Sequence, residues 1–235
     1  MAEDKPGDAL SEEKRFVRDL SISVVGIGRL GICFAAVFAE RGYRVIGVDI
    51  REERVREINE GKIETIEPFL AEYLRGTEEF EATADYSYAV ANTDVTFIFV
   101  NTPSRTNGSF SNEQVESTLK SMSPALRKKE NHLVVVASTV MPGSMKGFSR
   151  LLDMPHIGLC YNPSFIAQGD VIRGFEEPDF VLIGESDSRS GDLLQDLWSE
   201  ILRARLPIVR MSWENAELAK ITLNAYITMK ISFVN

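Results

Sequence analysis

The amino-acid sequence predicts an α/β fold, a doubly wound and mostly parallel sheet that ends in the start of a long helix. Three features carry that expectation. Short apolar runs alternate with longer amphipathic stretches along most of the chain, the β-α-β-α order that builds a parallel sheet. Several runs are nearly continuously apolar and rich in Val and Ile, as strands covered on both faces are. The first run leads directly into a glycine-rich turn and an apolar helix, the entry of a βαβ unit.

Taken in order, residues 1–18 read as a solvated tail with a short helix over 11–17. Strands are predicted at 21–26, 43–49, 95–100, 132–137, 157–161, 180–184 and 206–209. Helices are predicted at 30–41, 52–60, 112–126 and 187–203. Residues 63–74 and 101–111 read as loops, because Pro or Gly interrupts the alternation there. The stretch 213–235 lacks both Pro and Gly and is mostly apolar, as a long buried helix would be. Its polar residues Glu217, Lys220, Asn224 and Thr228 are spaced three, four and four apart, on one narrow stripe. Such a stripe is either a thin solvent seam or a face turned to a ligand or subunit contact. The expected division is a tail (1–18), a cofactor-binding domain (19–211) and the start of a central helix (212–235). The chain ends without a capping Gly or polar tail, so a truncated or incomplete product is expected.

Of 235 residues, 44% are hydrophobic and 26% charged, enough for a core that needs no metal or disulfide. The formal net charge of −9 argues against a nucleic-acid surface, which needs a basic patch. It leaves open a small anionic ligand held by backbone amides. Cys33 and Cys160 each lie in an apolar run and read as buried reduced thiols. Cys160 is close in sequence to residues 162–166, so a reactive thiol there is the other reading. With no apolar signal core and no run of about 18 apolar residues, a cytoplasmic protein that does not span a membrane is expected.

The strongest local motif is Gly26-Ile27-Gly28-Arg29-Leu30-Gly31. Gly26 permits the tight turn, Gly28 lets the backbone approach a pyrophosphate, and Gly31 lets the helix pack close to the strand. Arg29 and Leu30 open the helix whose free amides and dipole point at the phosphates. A second strand ends in Asp49, 18 residues beyond Gly31. A carboxylate there accepts from both ribose hydroxyls of the adenosine half and repels a 2′-phosphate, so NAD is favoured over NADP. Arg51 and Arg54 lie close enough to blunt that preference, and Arg54 is counted among the cofactor residues. Asp49 has a second reading, as the N-cap of the following helix. The unit is expected to be a Rossmann-type dinucleotide-binding domain.

Five further segments follow in order. The first is Glu67-Pro68, after Asn59-Glu60-Gly61. The second is Val100-Asn101-Thr102-Pro103 with Gly108, and the third Ser138-Thr139-Val140-Met141-Pro142-Gly143. The fourth is Asn162-Pro163-Ser164-Phe165-Ile166, continuing to Phe175 and Glu177-Pro178-Asp179. The fifth is Ala216-Glu217-Leu218-Ala219-Lys220, running through Asn224-Ala225 to Lys230-Ile231-Ser232-Phe233. With the glycine loop, these segments make residues 20–235 resemble the UDP-glucose/GDP-mannose dehydrogenase family.

The resemblance implies oxidation of the C6 alcohol of a UDP- or GDP-linked hexose to the uronate. Two NAD are reduced, through a thiohemiacetal and a thioester on a cysteine. It places Lys220 and Asn224 at the sugar, where they stabilise developing oxyanions. It gives Thr139 the positioning of water near C6, and puts Thr102 and Pro103 beside the cofactor in a loop that helps close the site. The full-length protein is expected to be a homodimer built on the central helix, acting in envelope or polysaccharide precursor synthesis.

Two departures matter. The family carries its general base, a Glu, where this chain has Ser164, and an unassisted hydroxyl is too weak a base near neutral pH. Asp170 is the nearest acid downstream. The family's nucleophilic cysteine lies in a central domain beyond residue 235, and neither Cys33 nor Cys160 matches its position. The chain is therefore expected to bind NAD without completing the four-electron oxidation. Two other readings stay open: a non-catalytic NAD- or nucleotide-sugar-binding paralogue, supported by Ser164, and a hydroxyacid or 6-phosphogluconate-type dehydrogenase. His132 and His156 each open a strand with no further ligand at metal spacing, so no metal is expected. Glu12, Glu13, Glu78 and Glu79 read as solvated charges, and Phe165, Phe175 and Phe180 as core.

Overall fold

The computed structural model describes residues 17–63, 65–166 and 169–234. Strand β1 (Ile22–Val25), helix α1 (Arg29–Glu40) and strand β2 (Val45–Val48) form the first βαβ unit. There follow α2 (Glu52–Asn59), α3 (Leu70–Arg75), β3 (Phe80–Thr83), α4 (Tyr86–Ala91) and β4 (Val95–Ile98). The second half runs α5 (Glu113–Leu126), β5 (His132–Val136), α6 (Ser144–Leu152), β6 (Ile157–Tyr161), α7 (Val171–Glu176) and β7 (Val181–Glu185). Helix α8 (Ser188–Ile201), strand β8 (Ile208–Ser212) and the long helix α9 (Trp213–Val234) complete it.

The eight strands form one sheet in the order β3-β2-β1-β4-β5-β6-β7-β8. The pairs from β3 to β6 are parallel, β7 is antiparallel to β6, and β8 is parallel to β7. The sheet is thus mostly parallel, as expected. Strand residues alternate between two cores. Ile22, Val24, Val95, Phe97, Leu133 and Val135 pack with α1, α7 and α8, whereas Val25, Ile98, Val134 and Val136 pack with α5 and α6. Phe34 anchors the first core, its ring centroid 4.6 Å from Phe97 and 4.9 Å from Phe175. Edge-on aromatic contacts of this kind add to the area each ring buries.

The structure adds elements that the sequence pattern hid. Strand β3 sits at the sheet edge and only Ala82 in it is buried, so it shows no apolar run. The stretch 63–74, expected as a loop, contains most of α3, entered through Phe69 in the left-handed region at φ 65°. Val17 and Arg18 are helical and Val17 is buried in the core, so the tail expected over 1–18 is not solvated at Val17. The remainder of that expectation lies outside the described residues. Helix α9 is correct in extent, but only Ala216, Glu217 and Lys220 are buried in it. Its apolar character therefore does not mark burial, since Leu218, Tyr226, Met229, Ile231 and Phe233 are exposed.

At the N-terminal edge of the sheet a polar chain crosses the core. Thr93 Oγ1 donates to Ser23 Oγ at 3.1 Å, Ser23 and Thr96 share a bond of 2.7 Å, and Thr96 meets His132 Nε2 at 2.8 Å. Burial, with Lys129 nearby, brings the His132 imidazole down to about 4.

Candidate active site and cofactor cleft

The glycine turn joins β1 to α1 at the C-terminal edge of the sheet, where open α/β sheets bind ligands. Gly26 has φ +89°, and a Cβ there would stand 2.7 Å from the Phe99 carbonyl oxygen. A Cβ on Gly31 would stand 2.1 Å from the Gly26 carbonyl oxygen, so helix and turn are in backbone contact. Gly28, the N-cap of α1, differs: a Cβ there would meet nothing within 4 Å. That side is an open approach to the first turn of α1, at Arg29 and Leu30. The turn contains no acidic residue to offset the positive helix end.

Asp49 follows β2 and is buried. Its Oδ1 accepts from the Arg51 backbone N–H at 3.0 Å and from Arg51 Nε at 3.1 Å, and its Oδ2 accepts from Arg51 Nη2 at 3.3 Å. It does not cap α2, whose N-cap is Arg51 with no side-chain cap bond. A cleft of 570 Å³ lies beside it, walled by Gly28, Asp49, Tyr86, Val100, Ser117 and Thr118. A larger cavity of 1280 Å³ shares Gly28 and Arg51 with it and continues past Leu30, Arg54 and Glu67. An open backbone approach, a helix N-terminus and a carboxylate along one groove fit the adenosine diphosphate of a dinucleotide. Tyr86, Ser117 and Thr118 did not stand out in the sequence, because only the packing of α4 and α5 brings them to the groove.

Thr102 and Pro103 follow β4, and Thr139 follows β5. Thr102 Oγ1 donates to the Thr139 carbonyl oxygen at 2.7 Å, and Ser138 Oγ donates to the Val100 carbonyl oxygen at 2.7 Å. These bonds bring two of the sequence segments together. Glu217 on α9 accepts from the backbone N–H groups of Gly143 and Met145 at 2.6 and 2.7 Å, and so caps α6. Burial pushes its carboxyl above the ordinary value, and the amides pull it back.

One turn on, Lys220 is 7% exposed. Its Nζ donates to the Ser164 carbonyl oxygen at 2.8 Å and lies 4.5 Å from the centroid of the Phe165 ring. Burial brings the ammonium down to about 8. Ser164, at the doubtful position, thus contributes its backbone oxygen to the lysine. Phe165, expected only as core, is also the floor under the ammonium. Asn224 is half-buried, and Thr228 is exposed with its hydroxyl on the Asn224 carbonyl oxygen at 3.0 Å. The polar stripe therefore faces the domain at Glu217 and Lys220 and opens to solvent from Asn224 to Thr228.

Glu67 also works at a distance: its carboxylate accepts from the Val171 and Ile172 N–H groups at the start of α7. Neither cap has a local signal in the sequence, because donor and acceptor are 74 residues apart in one and 104 in the other. Burial pushes the Cys33 thiol up to about 12 and the Cys160 thiol higher still. Neither is a nucleophile near neutral pH.

A sheet in this order, with the glycine turn at the β1–α1 crossing and a carboxylate after β2, defines a Rossmann-type dinucleotide-binding domain. The model of the UDP-glucose/GDP-mannose dehydrogenase family, NAD binding domain, matches residues 20–202. The chain belongs to that family. It is 35% identical over 228 residues to the GDP-mannose 6-dehydrogenase of Pseudomonas aeruginosa, covering 92% of this chain and 52% of that protein. It is 31% identical to the UDP-glucose 6-dehydrogenase of Haloferax volcanii, covering 92% and 53%. Among solved structures it superposes on a UDP-glucose dehydrogenase from Pyrobaculum islandicum with TM-score 0.87 at 33% identity, covering 94% and 52%. A ternary complex of the Pseudomonas GDP-mannose dehydrogenase gives TM-score 0.84 at 34% identity, covering 91% and 51%. The chain spans about half the length of the curated relatives it matches.

Proposed function

We propose that the chain is the NAD-binding portion of a nucleotide-sugar 6-dehydrogenase, which oxidises the C6 alcohol of a UDP- or GDP-linked hexose to the uronate. The observation that carries this reading is the Lys220 site. A buried ammonium is costly unless it is paired and hydrogen-bonded, and among the described residues no carboxylate pairs with it. Its bond to Ser164 occupies one of three N–H donors, and the same helix clamps the Thr139–Gly143 turn through Glu217. Lys220, with Asn224 one turn on, is thereby held near a turn that is itself tied to the cofactor side by Thr102.

NAD, when bound, accepts the hydride. Gly26, Gly28, Arg29, Leu30 and Gly31 would hold its pyrophosphate, Asp49 and Arg54 its adenosine ribose, and Thr102, Pro103 and Thr139 would line its nicotinamide side. Lys220 would stabilise the developing oxyanion, and Thr139 would orient water. Asp170 opens α7 with no side-chain cap bond, and nothing in the geometry gives it the role of the missing base. The domain division at residues 211–212 and a cytoplasmic location go with this reading, as does a homodimer formed through the exposed apolar side of α9. Among the described residues no helix is long and apolar enough to cross a membrane.

The test is titration of the 235-residue chain with NADH, followed by assay with GDP-mannose and UDP-glucose at 340 nm. Binding without turnover is expected, because both thiols are buried. Failure to bind NADH at millimolar concentration would overturn the cofactor reading. Two NADH per sugar nucleotide would show that the nucleophile lies within the chain.

A further inference from the structure

We propose that the adenosine end of the cofactor cleft also accepts a 2′-phosphate, making NADP a second ligand, and that Arg51 is the residue that admits it. The inference rests on the cofactor reading above.

A bare carboxylate after β2 selects NAD in two ways. It accepts from the ribose hydroxyls, and it repels a phosphate dianion. Asp49 is not bare. Both of its oxygens are taken by the Arg51 guanidinium, and Oδ1 also by the Arg51 backbone N–H. The pair together carries no net charge, so the repulsive half of the selection is cancelled at its source. The two partners also differ in freedom. Asp49 is buried, whereas the Arg51 side chain is 63% exposed. The guanidinium can turn outward to a phosphate while its own backbone N–H keeps hold of Asp49. Its planar fork matches phosphate oxygens in pairs.

Arg54 supplies a second cation. It lines the same cavity as Arg51, and its contact with Glu57 is a loose 3.8 Å. Glu53 and Glu57 line that cavity too, so the surroundings are not generally positive. Acceptance of the phosphate therefore depends on Arg51 itself, which touches the selecting carboxylate, rather than on a diffuse field.

The experiment titrates the 235-residue chain with NADH and NADPH by nicotinamide fluorescence, in the native form and as Arg51→Ala and Arg51→Lys. The native chain is expected to bind NADPH within about tenfold of NADH. Arg51→Ala is expected to widen that ratio at least about tenfold by weakening NADPH, and Arg51→Lys, which keeps the charge without the fork, to lie between. A native chain that rejects NADPH by more than about a hundredfold overturns the proposal, as does an unchanged ratio in Arg51→Ala. Absence of NADH binding by the native chain would overturn the cofactor reading instead.

Discussion

Two alanine substitutions in the glycine turn should separate folding from cofactor binding. At Gly28 the backbone lies at φ −73°, ψ −153°, open to any L-residue, and the added methyl meets nothing within 4 Å. Loss of the preferred N-cap glycine and the reduced freedom of the unfolded chain oppose one another, leaving a change within about 1 kcal/mol. The methyl nevertheless occupies the approach to the first turn of α1. A phosphate kept from two charge-assisted amide bonds, each worth roughly 1.5 kcal/mol or more, loses about 3 kcal/mol, a hundredfold in affinity.

Gly31→Ala is the reverse case. Its Cβ would lie 2.1 Å from the Gly26 carbonyl oxygen and 3.2 Å from Phe99 Cβ, against a carbon–oxygen contact of roughly 3.3 Å. Both obstacles are rigid, so α1 must move by about an ångström, at the upper end of overpacking costs, about 3 kcal/mol. For a chain of this size that lowers Tm by roughly 6–12 °C. Urea unfolding and NADH fluorescence read the two effects separately. A Gly28→Ala chain that binds NADH within about threefold of native, or a Gly31→Ala chain of native stability, would refute the reasoning.

Two further expectations concern pH and charge. His132 is held at about 4 in the fold against about 6.5 unfolded, so its contribution is complete above 6.5 and is lost as pH falls toward 4. Linkage gives a loss of about 1.4 kcal/mol between pH 8 and 5.5, which His132→Phe should abolish; equal slopes in urea unfolding would exclude it. Lys220 is held at about 8 against about 10.4 unfolded. Stability is therefore lost as pH falls from 10.4 to 8, and the cost stands in full below 8. Lys220→Met should raise stability at pH 7 by roughly 2 kcal/mol, and a destabilised variant would show that the ammonium is well compensated.

Much of the fold was legible because the interior strands signal themselves. Residues such as Val134, Val135 and Val136 are buried on both faces of a parallel sheet, so the apolar run is the strand. The glycine turn was legible for a similar reason, since Gly26 and Gly31 touch backbone atoms a few residues away or on the next strand. Strand β3 was not, because an edge strand with one buried residue has no run to show. Helix α9 was legible in extent but not in exposure, since helix propensity does not report which side is covered.

Local chemistry in the sequence thus determined the βαβ order, the turn that points α1 at a phosphate, and the carboxylate at the end of β2. Tertiary structure decided what those groups do. Helices α6 and α7 take their caps from Glu217 and Glu67, which are 74 and 104 residues away, where no local pattern can announce them. Asp49 was expected to receive a ribose with Arg51 close by, and the folded chain sets the Arg51 guanidinium on both its oxygens. The spacing of Lys220 left open a solvent seam or an inward face, and packing over Phe165 and Ser164 decides it by burying the ammonium. A hydrogen bond or ion pair depends on distance in space, and only the closed chain sets that distance.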